Sequence, residues 1–238
     1  QRTKTMADMS KVKSKLIEGL IKRSEGRPLP VVVLADTSGS MQGEKIAALN
    51  EALRQMIESF RELDDGRITP WVSIITFDDT ARVAVPPSPV HAVTLPELRA
   101  NGRTAMGAAL GMVRELLEDR ARMPGSAYTP NLVLVSDGQP NDEWQPPLEA
   151  LLGSQRAGRG LRLAMAIGSD ADEAMLKRFV SPEIPVVRAA DARRIRSFFQ
   201  LVTFTVAQRS KSHAPNQVGP ALLPPPASFG FDDDDLVY

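Results

Sequence analysis

Three short stretches of this chain place oxygen donors where they could hold a metal: Asp36-Thr37-Ser38-Gly39-Ser40, Gly102-Arg103-Thr104 and Ser136-Asp137-Gly138. The donors are neutral hydroxyls and two carboxylates, hard oxygens that suit a small divalent cation keeping part of its water. Alternate positions of a tight loop can point Asp36, Ser38 and Ser40 to one side, and Gly39 lets the backbone bend. A cation held mainly by hydroxyls, with the carboxylates one water away, stays electron-poor. It should seek an external carboxylate to complete its octahedron. The alternative is that Asp36 and Ser38 merely cap the helix that follows, as such residues often do.

Softer chemistry is excluded by composition. The 238 residues contain no cysteine, which removes disulfides, thiolate nucleophiles and cysteine-based zinc or iron–sulfur centres. His91 and His213 are too far apart in sequence to form a local pair, so a metal site here is built from oxygen. Nucleophilic serine chemistry needs a base within hydrogen-bond reach, and neither histidine follows a buried strand. There is no Gly-x-Ser-x-Gly elbow, no Gly-x-x-x-x-Gly-Lys phosphate loop and no Gly-x-Gly-x-x-Gly fingerprint. The expectation is a protein that is not an enzyme. Magnesium-assisted hydrolysis of phosphate esters is the rival from the catalytic class, and a metal-independent scaffold is the rival among binding proteins.

Charge and hydropathy narrow the partners. With 29 basic and 29 acidic side chains the formal net charge is zero, so the surplus of Lys and Arg that a nucleic-acid backbone demands is missing. No apolar run approaches the length of a membrane span, and the N-terminus lacks a hydrophobic stretch with a cleavage site, which makes a cytoplasmic location the default expectation.

The elements that must position the oxygen donors alternate in type. Near-continuous apolar runs at Val31–Ala35, Trp71–Phe77, Leu132–Val135, Leu161–Ile167 and Pro185–Val187 read as strands buried on both faces. Helix-period stretches lie between and after them at Glu44–Leu63, Thr104–Arg120, Pro147–Arg156, Asp172–Phe179 and Ala192–Val206. The fold class predicted is α/β, a Rossmann-like doubly wound and mostly parallel sheet with helices on both faces. Ala81–Val85 follows Phe77 after three residues, so it should turn back as one antiparallel edge strand that Pro86, Pro87 and Pro89 then end. In such sheets ligands bind at the carboxyl ends of strands, and all three donor stretches sit at such turns or just before a helix. An amphipathic helix is expected over Met6–Glu25, giving a division into an N-terminal helix (1–27), one α/β domain (28–210) and a Pro-rich acidic tail (211–238). The tail's composition does not favour a strand or helix.

The constellation resembles the metal-ion-dependent adhesion site of von Willebrand factor type A domains, over about residues 30 to 206. In that family an Asp-x-Ser-x-Ser loop, a distant Thr and a distant Asp bind magnesium, and a partner's Asp or Glu fills the open position. The five positions match as Asp36, Ser38, Ser40, Thr104 and Asp137. The resemblance implies that Ser38, Ser40 and Thr104 touch the metal while Asp36 and Asp137 act largely through water, with Mg2+ as the ion and Mn2+ or Ca2+ as substitutes. The segments Leu34–Met41 and Ser136–Pro140 and the Pro-rich C-terminal extension are similar to the intracellular bacterial branch called TerY-like, associated with tellurite resistance and stress operons. That resemblance implies an adaptor working with a Ser/Thr-kinase-like protein and a PP2C-like phosphatase.

Three neighbouring features bear on the site. Arg103 could meet an acidic partner or compete with the cation, though a solvated loop residue is the simpler expectation. Asp78 and Asp79 close the second strand, where a hairpin turn uses aspartates anyway. One of Asp232, Asp233, Asp234 and Asp235 in the tail could supply the missing carboxylate to the same or a neighbouring molecule, against the plainer expectation of a solvated acidic tail.

Overall fold

The computed structural model describes residues 26–238, so the helix expected over Met6–Glu25 lies outside the described residues. Seven strands form one sheet: β1 (Arg27–Asp36), β2 (Ile68–Phe77), β3 (Ala81–Pro89), β4 (Asn131–Ser136), β5 (Leu161–Ile167), β6 (Val186–Ala189) and β7 (Leu236–Val237). Their spatial order is β3-β2-β1-β4-β5-β6-β7. Strands β2, β1, β4, β5 and β6 run parallel, while β3 and β7 add antiparallel edges. Among the described residues five α-helices connect or follow them: α1 (Glu44–Leu63), α2 (Met106–Glu118), α3 (Gln145–Leu152), α4 (Glu173–Phe179) and α5 (Ala192–Lys211). No helix among the described residues is long and apolar enough to cross a membrane.

The central strand explains why its sequence lacks polar alternation. Every residue of β1 after Arg27 is buried, because successive side chains point to opposite faces and both faces are covered. Val31, Val33 and Ala35 pack with Leu49, Leu53 and Phe60 of α1 and Phe198, Phe199 and Val202 of α5. Val32 and Leu34 join the other layer, with Leu110, Val113 and Leu117 of α2 and Leu148 of α3. Burying a Leu or Phe side chain contributes roughly 1.5–3 kcal/mol, so the two layers fix β1 and, with it, where the donor loop begins.

Two expectations about strands are corrected. Pro86, Pro87 and Pro89 do not end β3, which continues to Pro89 and pairs Val72 with Ser88 and Trp71 with Pro89 across register shifts. An edge strand tolerates proline because one side of its backbone needs no ladder partner. The tail, in turn, does add a strand: Leu236 and Val237 pair with Val187 and Val186 of β6. Phe231 is buried against the core, and Asp232 and Asp235 form a reciprocal capping box around a short 3-10 turn. The acidic cluster is tied to its own chain. Asp232 and Asp235 pair with Arg194 near the start of α5, and the Asp234 carbonyl accepts from Arg188. Within the molecule these acids are held two strands or more away from the donor loops on β1 and β4.

Candidate metal centre

The chain leaves β1 toward β2 on one side, and β4 pairs with β1 on the other, so the gap above β1 and β4 is the topological switch point of the sheet. The two strands are in register, Ala35 opposite Val135, which brings Asp36 and the Ser136-Asp137-Gly138 turn together at the carboxyl edge. Asp36 is fully buried and its two oxygens are separately engaged. Oδ1 accepts from the Ser38 backbone N–H at 2.8 Å, and Oδ2 accepts from the Ser136 hydroxyl at 2.5 Å. Burial pushes the Asp36 carboxyl above its ordinary range, the donors on Ser136 and Ser38 pull it back, and the charge of Asp137 adds to the rise. A bound cation would relieve that penalty, since it inverts the local preference for a neutral acid.

The loop after Asp36 does not serve as a simple helix cap. Ser38 starts a short 3-10 turn, Gly39–Met41, without a side-chain capping bond, and α1 begins only after Gly43. The Ser38 and Ser40 hydroxyls lie 3.0 Å apart. Ser40 Oγ donates to Asp137 Oδ1 at 2.7 Å. Ser38 and Asp137 are buried while Ser40 is exposed, so the cluster opens to solvent along one side.

Thr104 arrives from a loop laced to the first one by backbone bonds. The Asn101 N–H donates to the Thr37 carbonyl at 2.8 Å, and the Gly39 N–H to the Gly102 carbonyl at 2.9 Å. Gly102 has φ +74, and a Cβ there would fall 2.7 Å from Asp79 Oδ2, so only glycine lets the loop pass beneath the hairpin turn. The Ala105 N–H donates to the Asp78 carbonyl at 2.8 Å, fixing the residue after Thr104. Gly138 supplies the clearest measure of convergence. A Cβ on it would stand 3.3 Å from Thr104 Oγ1 and 3.9 Å from Ser40 Oγ, so the missing side chain leaves room beside the donors.

All five residues expected from the sequence are therefore brought to one place. The donor set is three hydroxyls and two carboxylates, and no group of three or more His, Cys, Asp or Glu suited to a metal occurs among the described residues. Hard oxygens in this ratio fit magnesium, which keeps several waters and needs few protein charges.

Other contributors gave weaker sequence signals. Ser136 was visible only as the neighbour of Asp137, yet it holds Asp36. Lys45 gave no signal as part of a helix, yet its ammonium lies 2.5 Å from Asp137 Oδ2. Asp142 caps α2 by accepting from the Gly107 and Ala108 N–H groups. Asp78 and Asp79 do form the hairpin turn, and they also buttress the Thr104 loop. Arg103 is exposed and paired with Asp79 at 3.3 Å. A cavity of about 590 Å³ borders the centre, lined by Thr37, Asp78, Asp79, Arg82, Glu97 and Asn101 among others. His91 and His213 are exposed and lie outside the centre.

Residues 31–139 match the family model of the von Willebrand factor type A domain. Over that segment, just under half of its length, the chain is similar to the type A family. Solved structures of similar fold include a von Willebrand factor type A protein from Catenulispora acidiphila, 20% identical with a TM-score of 0.60, covering 74% of this chain and 42% of that one. Another is proximal thread matrix protein 1 of the mussel byssus with a zinc-occupied MIDAS motif, 18% identical, TM-score 0.60, covering 76% and 48%. A third is VWA2, the ArnB paralog of Sulfolobus acidocaldarius, 18% identical, TM-score 0.55, covering 78% and 46%. This chain spans less than half the length of each of these three. Among curated proteins no relative matches. The type A family match spans Asp36, Ser38, Ser40, Thr104 and Asp137 together.

Proposed function

We propose that this type A domain binds Mg2+ through Ser38, Ser40 and Thr104, with Asp36 and Asp137 acting largely through water, and uses it to recognise an acidic side chain on a partner protein. The observation that carries the reading is the convergence of five oxygen-bearing residues from three separate loops, next to a glycine whose missing Cβ leaves the space clear. When bound, the metal supplies a Lewis-acidic point for a carboxylate. The protein's part is positional: Ser136 and the Ser38 backbone orient Asp36, Ser40 orients Asp137, and the Asp78-Asp79 turn holds Thr104. The bordering cavity gives the flanking residues of an acidic partner somewhere to sit. The zinc-occupied site of the mussel protein supports a divalent ion in this fold, and the hard donor set here favours magnesium.

The role is that of a non-enzymatic adaptor. The segments similar to the TerY-like branch point to a bacterial stress-response system, with a Ser/Thr kinase and a PP2C-like phosphatase as partners, and to the cytoplasm as the place of work. The test is capture of partners from the native source with and without chelator, using wild type and Asp36→Ala. Partners retained by wild type in Mg2+ and lost in both other arms support the reading. Equal recovery in all arms leaves a metal-independent scaffold, and turnover of phosphate esters in Mg2+ by wild type alone would make the protein a hydrolase.

A further inference from the structure

Lys45 stands where helix electrostatics disfavour it. It is the second residue of α1, and the positive end of a helix dipole raises the cost of a cation in the first turn. Its ammonium nevertheless reaches inward, 2.5 Å from Asp137 Oδ2, while Asp137's other oxygen accepts from Ser40 at 2.7 Å. The Asp137 side chain is fully buried and the Lys45 side chain is 37% exposed, so one member is fixed and the other sits at the rim. The Lys45 ammonium also lies 3.8 Å from where a Cβ on Gly168 would be, at the end of β5, so glycine there leaves it room.

We propose that Lys45 is a tethered competitor that lowers and sets the affinity of this centre for divalent cations. The inference rests on the metal-binding reading above. Two carboxylates alone would present a charge of −2 to a cation, whereas Asp36, Asp137 and Lys45 together present −1. Affinity of oxygen sites for dications is tuned by that charge count. A compact ammonium on a flexible four-carbon stem, already at the rim, can withdraw to water when a dication draws on Asp137. The centre then engages metal only at concentrations high enough to displace its own lysine.

The test is calorimetric titration of Mg2+ and Mn2+ into the full chain, for wild type, Lys45→Met, Lys45→Gln and Lys45→Arg, with Asp36→Ala as the control. Lys45→Met and Lys45→Gln are expected to bind about tenfold more tightly than wild type, and Lys45→Arg, which keeps the charge, to stay within about threefold of it. Thermal melts give a second readout. Without metal the neutral variants should melt below wild type, because Asp137 stays buried without its cation, and saturating Mn2+ should raise their melting temperature by more than it raises that of wild type. Equal or weaker binding by both neutral variants while wild type binds metal overturns the role of Lys45 and leaves the metal centre standing. Absence of binding by wild type and all variants overturns both. Binding by the neutral variants alone supports the strongest form of the competition. If Lys45→Met fails to fold, Lys45→Gln against Lys45→Arg decides, since these differ in charge while both remain polar.

Discussion

The two edges of the sheet bury opposite charges, and they do so for different ends. At the amino edge the buried ions are cations. Arg209 of α5, fully buried, donates to Asn131 Oδ1, the Thr129 carbonyl and the Pro215 carbonyl, and Arg162 of β5 donates to the carbonyls of Phe179, Gly158 and Gly160. No carboxylate takes part in these contacts, and burial alone pushes the Arg209 guanidinium down to about 10. At the carboxyl edge the buried ions are the anions Asp36 and Asp137, met by hydroxyls and one lysine. A guanidinium has a fixed set of donors, and spending them on neighbouring carbonyls leaves it nothing to offer a ligand. A carboxylate or hydroxyl oxygen keeps spare lone pairs after one bond. The amino edge thus closes the fold, and the carboxyl edge keeps valence for something else.

That contrast can be broken at either end. Arg209→Met, which keeps the apolar stem but strands several buried acceptors, should cost about 3 kcal/mol of stability in urea unfolding while metal affinity stays unchanged. A loss below about 0.5 kcal/mol would mean the amino edge is not held by this residue. Asp36→Asn should do the reverse. Its removal of a buried charge leaves stability without metal equal to or above wild type, while divalent affinity falls more than about tenfold, or ~1.4 kcal/mol, by calorimetry. A variant as unstable as Arg209→Met would show that both edges serve the fold. Gly138→Ala sharpens the same point at smaller scale: a methyl group beside Thr104 and Ser40 should weaken metal binding by about threefold, or ~0.7 kcal/mol, with melting little changed.

The smallest effect is expected at a surface ion pair with one exposed and one half-buried member. Arg188 of β6 forks onto Glu173 of α4 at 2.6 and 2.9 Å, and this bond holds the Glu173 carboxyl below its ordinary range. Because that folded value is depressed, the contribution is present above the unfolded value of 4.5 and is lost as the pH falls through the folded one. Arg188→Ala should lower stability only slightly at neutral pH in low salt, because solvent screens the pair, and not at all once Glu173 is protonated. Urea unfolding at neutral and acid pH measures both.

Much of this was legible in the order of residues, for a physical reason. The strands through the middle are covered on both faces, so their sequences are unbroken apolar runs, and the donor residues follow them within one turn, where local chain geometry suffices to gather Asp36, Ser38 and Ser40. Thr104 and Asp137 stand out because they sit just before a helix and at the end of a buried strand, and the type A resemblance joins them to the first loop. What escaped was settled by partners distant along the chain. Leu236 and Val237 are too short a run to read as a strand until β6 offers its free edge, and prolines in β3 look like a stop until one side of that strand is known to face outward. Lys45 looks like any solvated lysine in a helix until Asp137 is brought above it from 92 residues away. Arg209 lies beyond the stretch read as helical, Ala192–Val206, and only the longer helix and the packing of Asn131 and Pro215 around it make it internal.

Both lateral margins of the sheet are blunted against further strand addition. On one flank β3 carries Pro86, Pro87 and Pro89, which lack the amide hydrogens an incoming chain would need. On the other, β7 is two residues long and follows a turn of aspartates, which gives a stranger little ladder to grip and a repulsive approach if it too is acidic. Growth by edge-to-edge stacking is thereby discouraged at each flank, and self-association, where it occurs, is steered toward helices or loops instead of toward fibrous polymerisation.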